Sequence, residues 1–273
     1  MKIYLAKYSG FCSGVKRSAQ LANAKYTHKP IFTWGPLIHN EQFVQYLESK
    51  GIKKTENLKD ISNAIVIVRS HGIEKKLMQN IKKLSHKTID GTCPNVIRVQ
   101  KLAQNLQKKE KNIVIFGDSS HPEIIGIASY IKKPYIISNI QDLKLLPKLK
   151  NPALISQTTQ SVRKFKIIAK KLKKIYPNIQ IYNTICNATE LRQKSANALS
   201  KKVDVMIVIG GQSSSNSKKL FDICKKQTTS YFIQTKKDLK NIDLKNIDKI
   251  GITAGASTPD WIIKNVVQYL KSI

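Results

Sequence analysis

One short pattern occurs three times in this chain, and it limits the possible folds more than any other feature. Residues 2–6, 87–90 and 179–182 each read as a short strand, followed by a turn, a cysteine and a helix-like stretch. The three segments are F-C-S-G-V-K-R-S-A-Q around Cys12, G-T-C-P-N-V-I-R-V-Q around Cys93 and T-I-C-N-A-T-E-L-R-Q around Cys186. The cysteines are spaced at 81 and 93 residues, against 91 for a third of the 273-residue chain. An arginine follows each one, Arg17, Arg98 and Arg192, and a glutamine follows at Gln20, Gln100 and Gln193. The chain has only five arginines, so three of them at this offset mark an internal repeat. The repeat predicts three related units over 1–92, 93–185 and 186–273.

The remaining apolar runs predict the class of each unit. A-I-V-I-V at 64–68 runs into R-S-H-G, and I-V-I-F at 113–116 into G-D-S-S-H-P-E. A-L-I at 153–155 runs into S-Q-T-T, V-M-I-V-I at 205–209 into G-G-Q-S-S-S-N-S, and I-G-I-T at 250–253 into A-G-A-S-T-P. Helical patterns lie between them, as at 162–176 and 261–273. Strands alternating with helices give α/β units with small, mostly parallel sheets, and ligands bind beyond the carboxyl ends of such strands. Those ends carry most of the chain's informative polar residues.

The four cysteines, Cys12, Cys93, Cys186 and Cys224, form no C-x-x-C, so no local chelate is present. A thiol just ahead of a helix sits in the field of the helix's positive end, which favours the metal-binding thiolate. Three similar units packed about a common axis would bring Cys12, Cys93 and Cys186 to one point. Cys224 instead shares an apolar helix stripe with Leu220, Phe221 and Ile223, the ordinary setting of a buried core cysteine. Three thiolates suit either a zinc ion or a [4Fe–4S] cluster with one open iron, and spacing does not choose between them.

Three histidines stand in strand-end loops: His39 in G-P-L-I-H-N, His71 in R-S-H-G and His121 in S-H-P-E. With Ser214, Ser215, Asn216 and Ser257 they offer a dense set of donors of the kind a phosphate or diphosphate needs. The serines also fit a plain helix cap, and the two roles are compatible, because an N-terminus with spare donors is an anion site. Glu123, directly after His121 and Pro122, is a candidate proton donor. His28 and His86 are flanked by lysines without pattern and read as surface. No G-x-G-x-x-G, Walker loop or G-x-S-x-G is present to anchor a nucleotide fold or a hydrolase elbow.

A formal net charge of +31 invites a nucleic-acid reading, but 43 of the 48 basic residues are lysine, spread through every segment. Arginine is the residue that reads bases and grips phosphates bidentately, so the charge reads as a solvated lysine coat. No specific nucleic acid is expected; anionic substrates and acidic protein partners are. No apolar run reaches bilayer length, and residues 2–6 read as a strand rather than a leader, which predicts no membrane association and a cytoplasmic setting, first a bacterial one, with a processed plastid form as the alternative.

Taken together and in order, F-C-S-G-V-K-R, G-P-L-I-H-N, R-S-H-G, D-G-T-C-P, H-P-E-I-I-G, S-Q-T-T, T-I-C-N-A-T, S-S-S-N-S and G-I-T-A-G-A-S-T-P resemble the 4-hydroxy-3-methylbut-2-enyl diphosphate reductases. The resemblance covers residues 10 to about 260. It implies a trefoil of three α/β domains around one [4Fe–4S] cluster per chain, held by Cys12, Cys93 and Cys186. It implies that His39, His71, His121, Ser214, Ser215, Asn216 and Ser257 bind the substrate's diphosphate and line the pocket. Glu123 would deliver protons, with His121 beside it, and Thr158 would sit near the substrate's hydroxyl. The implied reaction is reductive removal of that hydroxyl, ending the non-mevalonate isoprenoid route. A reduced ferredoxin or flavodoxin would supply the electrons. The chain departs from the family's usual residues at Ser18, Gly91 and 127–129. Two other readings compete: a hydratase using the same open iron without net electron input, and a basic nucleic-acid binder.

Overall fold

The structure is a computed structural model that describes residues 1–24, 26 and 29–273; His28 lies outside the described residues. The chain opens with β1 (Lys2–Leu5), α1 (Ser13–Asn23), β2 (Ile31–Trp34), α2 (Glu41–Ser49), β3 (Ile52–Thr55), β4 (Ile65–Val68), α3 (Lys75–Leu84) and β5 (Lys87–Asp90). It continues through α4 (Pro94–Lys108), β6 (Asn112–Phe116), α5 (Pro122–Ala128), β7 (Tyr135–Ile137), β8 (Pro152–Ser156), α6 (Val162–Ile175) and β9 (Gln180–Ile181). It ends with α7 (Asn187–Ser200), β10 (Val205–Ile209), α8 (Ser215–Cys224), β11 (Thr229–Ile233), β12 (Lys249–Ala254) and α9 (Asp260–Lys271).

Among the described residues the strands form three four-stranded sheets, ordered β3-β2-β4-β5, β7-β6-β8-β9 and β11-β10-β12-β1. Every pairing is parallel. Read along the chain, each sheet is built alike: an inner strand, a helix, an outer strand, a 3₁₀ turn, a second strand, a helix, and an edge strand that leads to a cysteine. The 3₁₀ turns fall at Leu58–Ile61, Gln141–Leu145 and Lys236–Asn241. The third sheet takes its edge strand from the start of the chain, since Lys2 to Leu5 pair with Lys249 to Ile252. The pairing repeat therefore begins at β2, β6 and β10, and only β1 falls outside whichever of 1–92, 93–185 and 186–273 holds the rest of its sheet. Closing the last sheet with β1 covers an edge of β12 that would otherwise lack a partner.

By contact the chain divides into two compact units. The first comprises Met1–Lys16, Ile38–Tyr46 and Asn187–Ile273, and holds the sheet β11-β10-β12-β1. The second comprises Arg17–Leu37 and Leu47–Cys186, and holds the other two sheets.

The unbroken apolar strands of the sequence are strands covered on both faces. In β6, Val114 and Phe116 pack with Phe165, Ile168 and Leu172 of α6. The alternate residues Ile113 and Ile115 pack with Val99 and Ala103 of α4 and Ile124 and Ile127 of α5. In β10, Ile207 and Ile209 join Ile262, Val266 and Leu270 of α9, while Met206 and Val208 join Ala196, Leu220 and Cys224. Each such side chain contributes about 1.5–3 kcal/mol through burial, which makes the sheets rigid platforms for the loops at their carboxyl ends. No described helix is long and apolar enough to cross a membrane.

Candidate functional site

Each edge strand delivers its cysteine to the start of a helix. Cys93 is the N-cap of α4, with Pro94 fixing the first turn, and Cys12 and Cys186 directly precede α1 and α7. In all three places the cysteine amide donates to a carbonyl in the loop beyond the neighbouring strand. Cys12 N reaches Ala256 O at 3.3 Å, Cys93 N reaches Ser70 O at 2.9 Å, and Cys186 N reaches Thr158 O at 3.0 Å. The same hydrogen bond made three times is the physical form of the sequence repeat. All three thiols are half-buried and none is in a disulfide. Cys224 differs: it is fully buried beside Val203, Met206 and Val208, and desolvation pushes its thiol up to about 12. A thiol held so far from ionisation is a core residue.

The acceptor loops carry the predicted polar residues. In the second unit, Glu123 is buried, with Oε1 accepting from Thr158 N at 2.6 Å and Oε2 accepting from Thr158 Oγ1 at 2.8 Å. The carbonyl of that same Thr158 holds Cys186, so one threonine fastens a cysteine by its backbone and a carboxylate by its amide and hydroxyl. His121 caps α5, its Nδ1 accepting from Glu123 N at 3.1 Å. A neutral ring that accepts at Nδ1 carries its proton on Nε2. The His71 ring stands edge-on to His121, with centroids 5.4 Å apart. The loop presenting His71 is braced by Arg69, whose Nη1 meets Glu56 Oε1 at 3.0 Å and whose Nε meets Gly72 O at 3.4 Å. Burial lowers the Arg69 pKa from its ordinary value, and Glu56 opposes that shift.

In the first unit, Ser214 caps α8 through Ser217 N at 3.3 Å. Ser257, the residue after Ala256, places its Oγ 3.2 Å from Ser214 Oγ and 3.1 Å from His39 O. Lys219 Nζ donates to Ser215 Oγ at 2.6 Å, one turn into the helix. The helix start approaches the strand ends so closely that a Cβ at Gly210 or Gly255 would lie 2.2 or 1.9 Å from Ser217 Oγ. Asn216 is buried with neither side-chain amide atom hydrogen-bonded. Asn40 caps α2 with Oδ1, 2.9 Å from Phe43 N, and its buried Nδ2 also lacks a partner. Buried amides without partners are rare in folded chains, and at a helix N-terminus they are donors suited to a bound anion.

The first unit thus brings together His39, Ser214, Ser215, Asn216 and Ser257, and the second His71, His121, Glu123 and Thr158. His86 is exposed, as its surroundings predict. Asn40 escaped the sequence reading, although an asparagine directly before a helix and after His39 was the available signal. Arg69 escaped it because its partners are a distant glutamate and a backbone carbonyl.

A family model described as "LytB protein" matches residues 3–271. The 4-hydroxy-3-methylbut-2-enyl diphosphate reductase of Alkaliphilus oremlandii is 40% identical over 279 residues, covering 100% of both chains. The Helicobacter pylori protein of the same name is 42% identical over 277 residues, again covering 100% of both. Among solved structures, an (E)-4-hydroxy-3-methyl-but-2-enyl diphosphate reductase, described as the terminal enzyme of the non-mevalonate pathway, superposes with a TM-score of 0.74 at 35% identity, over 100% of each chain. The Plasmodium falciparum E-1-hydroxy-2-methyl-but-2-enyl-4-diphosphate reductase superposes with a TM-score of 0.93 at 32% identity, covering 98% of this chain and 87% of that one.

Proposed function

The chain belongs to the LytB family, and from that premise we propose that it reduces (E)-4-hydroxy-3-methylbut-2-enyl diphosphate to isopentenyl and dimethylallyl diphosphate, the last step of the non-mevalonate isoprenoid route. The observation that carries the reading is Thr158, which ties Cys186 to a buried acid by two short hydrogen bonds. A reaction that loses a hydroxyl as water and gains a hydrogen on carbon needs an electron source and a proton source in one place.

Cys12, Cys93 and Cys186 are the residues that would hold a [4Fe–4S] cluster. Their chemistry fits it: three half-buried thiols, each at a helix start, with Cys224 withheld in the core. When bound, such a cluster supplies electrons singly and one Lewis-acidic iron without a protein ligand. The diphosphate is assigned to His39, Ser214, Ser215, Asn216 and Ser257, where the α8 N-terminus and the unpartnered Asn216 amide supply donors. His71 and His121 add imidazole N–H groups. The proton for the departing hydroxyl is assigned to Glu123 in its protonated form: Thr158 Oγ1, which donates to Oε2 at 2.8 Å when the acid is ionised, would accept from Oε2–H as it gives its own proton to the leaving hydroxyl. The burial of Glu123 keeps bulk water from short-circuiting that transfer. The electron donor is assigned as a reduced ferredoxin or flavodoxin, acidic proteins suited to a chain of net charge +31, and the compartment as the bacterial cytoplasm.

The test is made on protein purified without oxygen. Close to four irons and four sulfides per chain are expected, with formation of both five-carbon diphosphates only when reduced viologen dye is supplied. Turnover without reductant would replace the reductase reading with a hydratase. Zinc in place of iron would overturn the cluster. Asn216→Ala is expected to raise KM by roughly 10- to 100-fold with kcat little changed, the cost of lost hydrogen bonds to a charged group. Steady-state kinetics with the same dye measure it, and an unchanged KM would remove Asn216 from the diphosphate site.

A further inference from the structure

Two of the three arginines that follow the cysteines grip the loop ahead of a different cysteine. Arg17 lies on α1, five residues after Cys12, yet its Nη1 meets Thr92 O at 3.3 Å and its Nη2 meets Asp90 O at 3.2 Å. The next residue, Ser18, is fully buried and donates its Oγ to Gly91 O at 2.6 Å. Two consecutive side chains thus hold the three consecutive carbonyls just before Cys93. Arg192 repeats the arrangement in the first unit. It lies on α7 after Cys186 and is 5% exposed, with Nη2 2.7 Å from Gly10 O, two residues before Cys12. Its Nη1 returns to Ala188 O at 3.0 Å. Arg98, at the same offset after Cys93, is exposed and makes no such bond among the described residues.

The gripped loops are also confined from other sides. A Cβ at Gly91 would stand 2.2 Å from Val68 O, Thr92 N donates to Asp90 Oδ1 at 2.9 Å, and Gly10 holds a φ of +75°. These contacts narrow the arrangements open to the cysteine that follows each turn. Arginine suits the task because its planar fork can span two carbonyls at once.

We propose that Arg17 together with Ser18, and Arg192, are positioning residues that set the Cys93 and Cys12 loops before any metal is bound. The inference rests on the cluster reading for its purpose, but not for its geometry, and the test separates the two. Arg17→Gln/Ser18→Ala, Arg192→Gln, Arg192→Lys and the reference Arg98→Gln are compared with the unaltered chain in two measurements. In the metal-free chain, amide hydrogen exchange is expected to speed up roughly 10-fold at Thr92 and Cys93 in the first variant and at Cys12 in the second, as when one buried hydrogen bond is lost. After anaerobic reconstitution, both variants are expected to release iron to a chelator at least ~10-fold faster, with Arg98→Gln unchanged and Arg192→Lys partly restored.

Exchange and release no faster than in Arg98→Gln would overturn the proposal. So would acceleration spread evenly over β4, β8 and β12, which marks general loss of stability. Should Arg192→Gln fail to fold, Arg192→Lys and the double variant at the Cys93 loop decide the matter. An unaltered chain that takes up no iron would defeat the cluster reading, while the exchange measurement would still judge the clamp.

Discussion

Cys93→Ala is expected to hold little iron after anaerobic reconstitution and to lose reductase activity by more than ~10²-fold, the upper range for merely losing an outer partner of a metal ligand. Cys224→Ala is expected to keep both. The contrast follows from position. Cys93 caps α4, half-buried, with its amide pinned to Ser70 O at 2.9 Å, so the helix start holds its thiol in place. Cys224 is sealed among Ala196, Met206, Val208 and Leu220, and ionisation of its thiol is pushed up to about 12 by burial. Truncating it removes one buried sulfur and leaves a small cavity, worth about 1–2 kcal/mol. The effect should show as a lower melting temperature with unchanged iron and sulfide per chain. Equal iron content in the two variants would overturn the choice of ligands.

The three cysteine units were legible because the signal in each is local: a short strand, a tight turn and a helix start within some fifteen residues. The buried strands β4, β6, β8, β10 and β12 were legible for another reason. Two covered faces demand an unbroken apolar run, as in the fully buried Ile65 to Val68. The outer strands gave no such signal. β3 reads I-K-K-T and is buried only at its ends, and β11 is mostly half-exposed. The pairing of β1 with β12 was not legible at all, because closing a sheet with strands nearly 250 residues apart leaves no mark in either strand's own pattern. The arginine offsets were visible, but their purpose was not. Their acceptors Asp90 O, Thr92 O and Gly10 O are backbone atoms, which any sequence supplies. The candidate site shows the same division. His71, His121, Ser214 and Ser257 stand at strand ends and can be picked by residue type. That Glu123 is held by Thr158, 35 positions away, needs the folded chain.

Glu123→Gln is expected to lower kcat by ~10²- to 10⁴-fold, the range of general acid catalysis, while KM and iron content stay near their original values. The substitution keeps the shape of the side chain, and the glutamine oxygen can still accept from Thr158 N. The other position changes character: an NH₂ now faces Thr158 Oγ1 where an oxygen accepted its proton at 2.8 Å. The threonine hydroxyl must turn to accept, and no group beside it then holds a transferable proton. Thr158→Val should produce a similar loss by removing the relay atom, and Thr158→Ser should recover most of the rate, since only the methyl group is lost. That ordering separates proton delivery from mere support of the loop. If the carboxylate served only to anchor Thr158 and the Cys186 amide it holds, Glu123→Gln, which preserves the bond to Thr158 N, would be nearly silent, and Thr158→Val, which loses the hydroxyl bond that Thr158→Ser keeps, would show its harm in iron loss rather than in rate. Near-normal turnover in Glu123→Gln, measured with reduced viologen, would therefore remove the glutamate from the proton path and leave it a structural role.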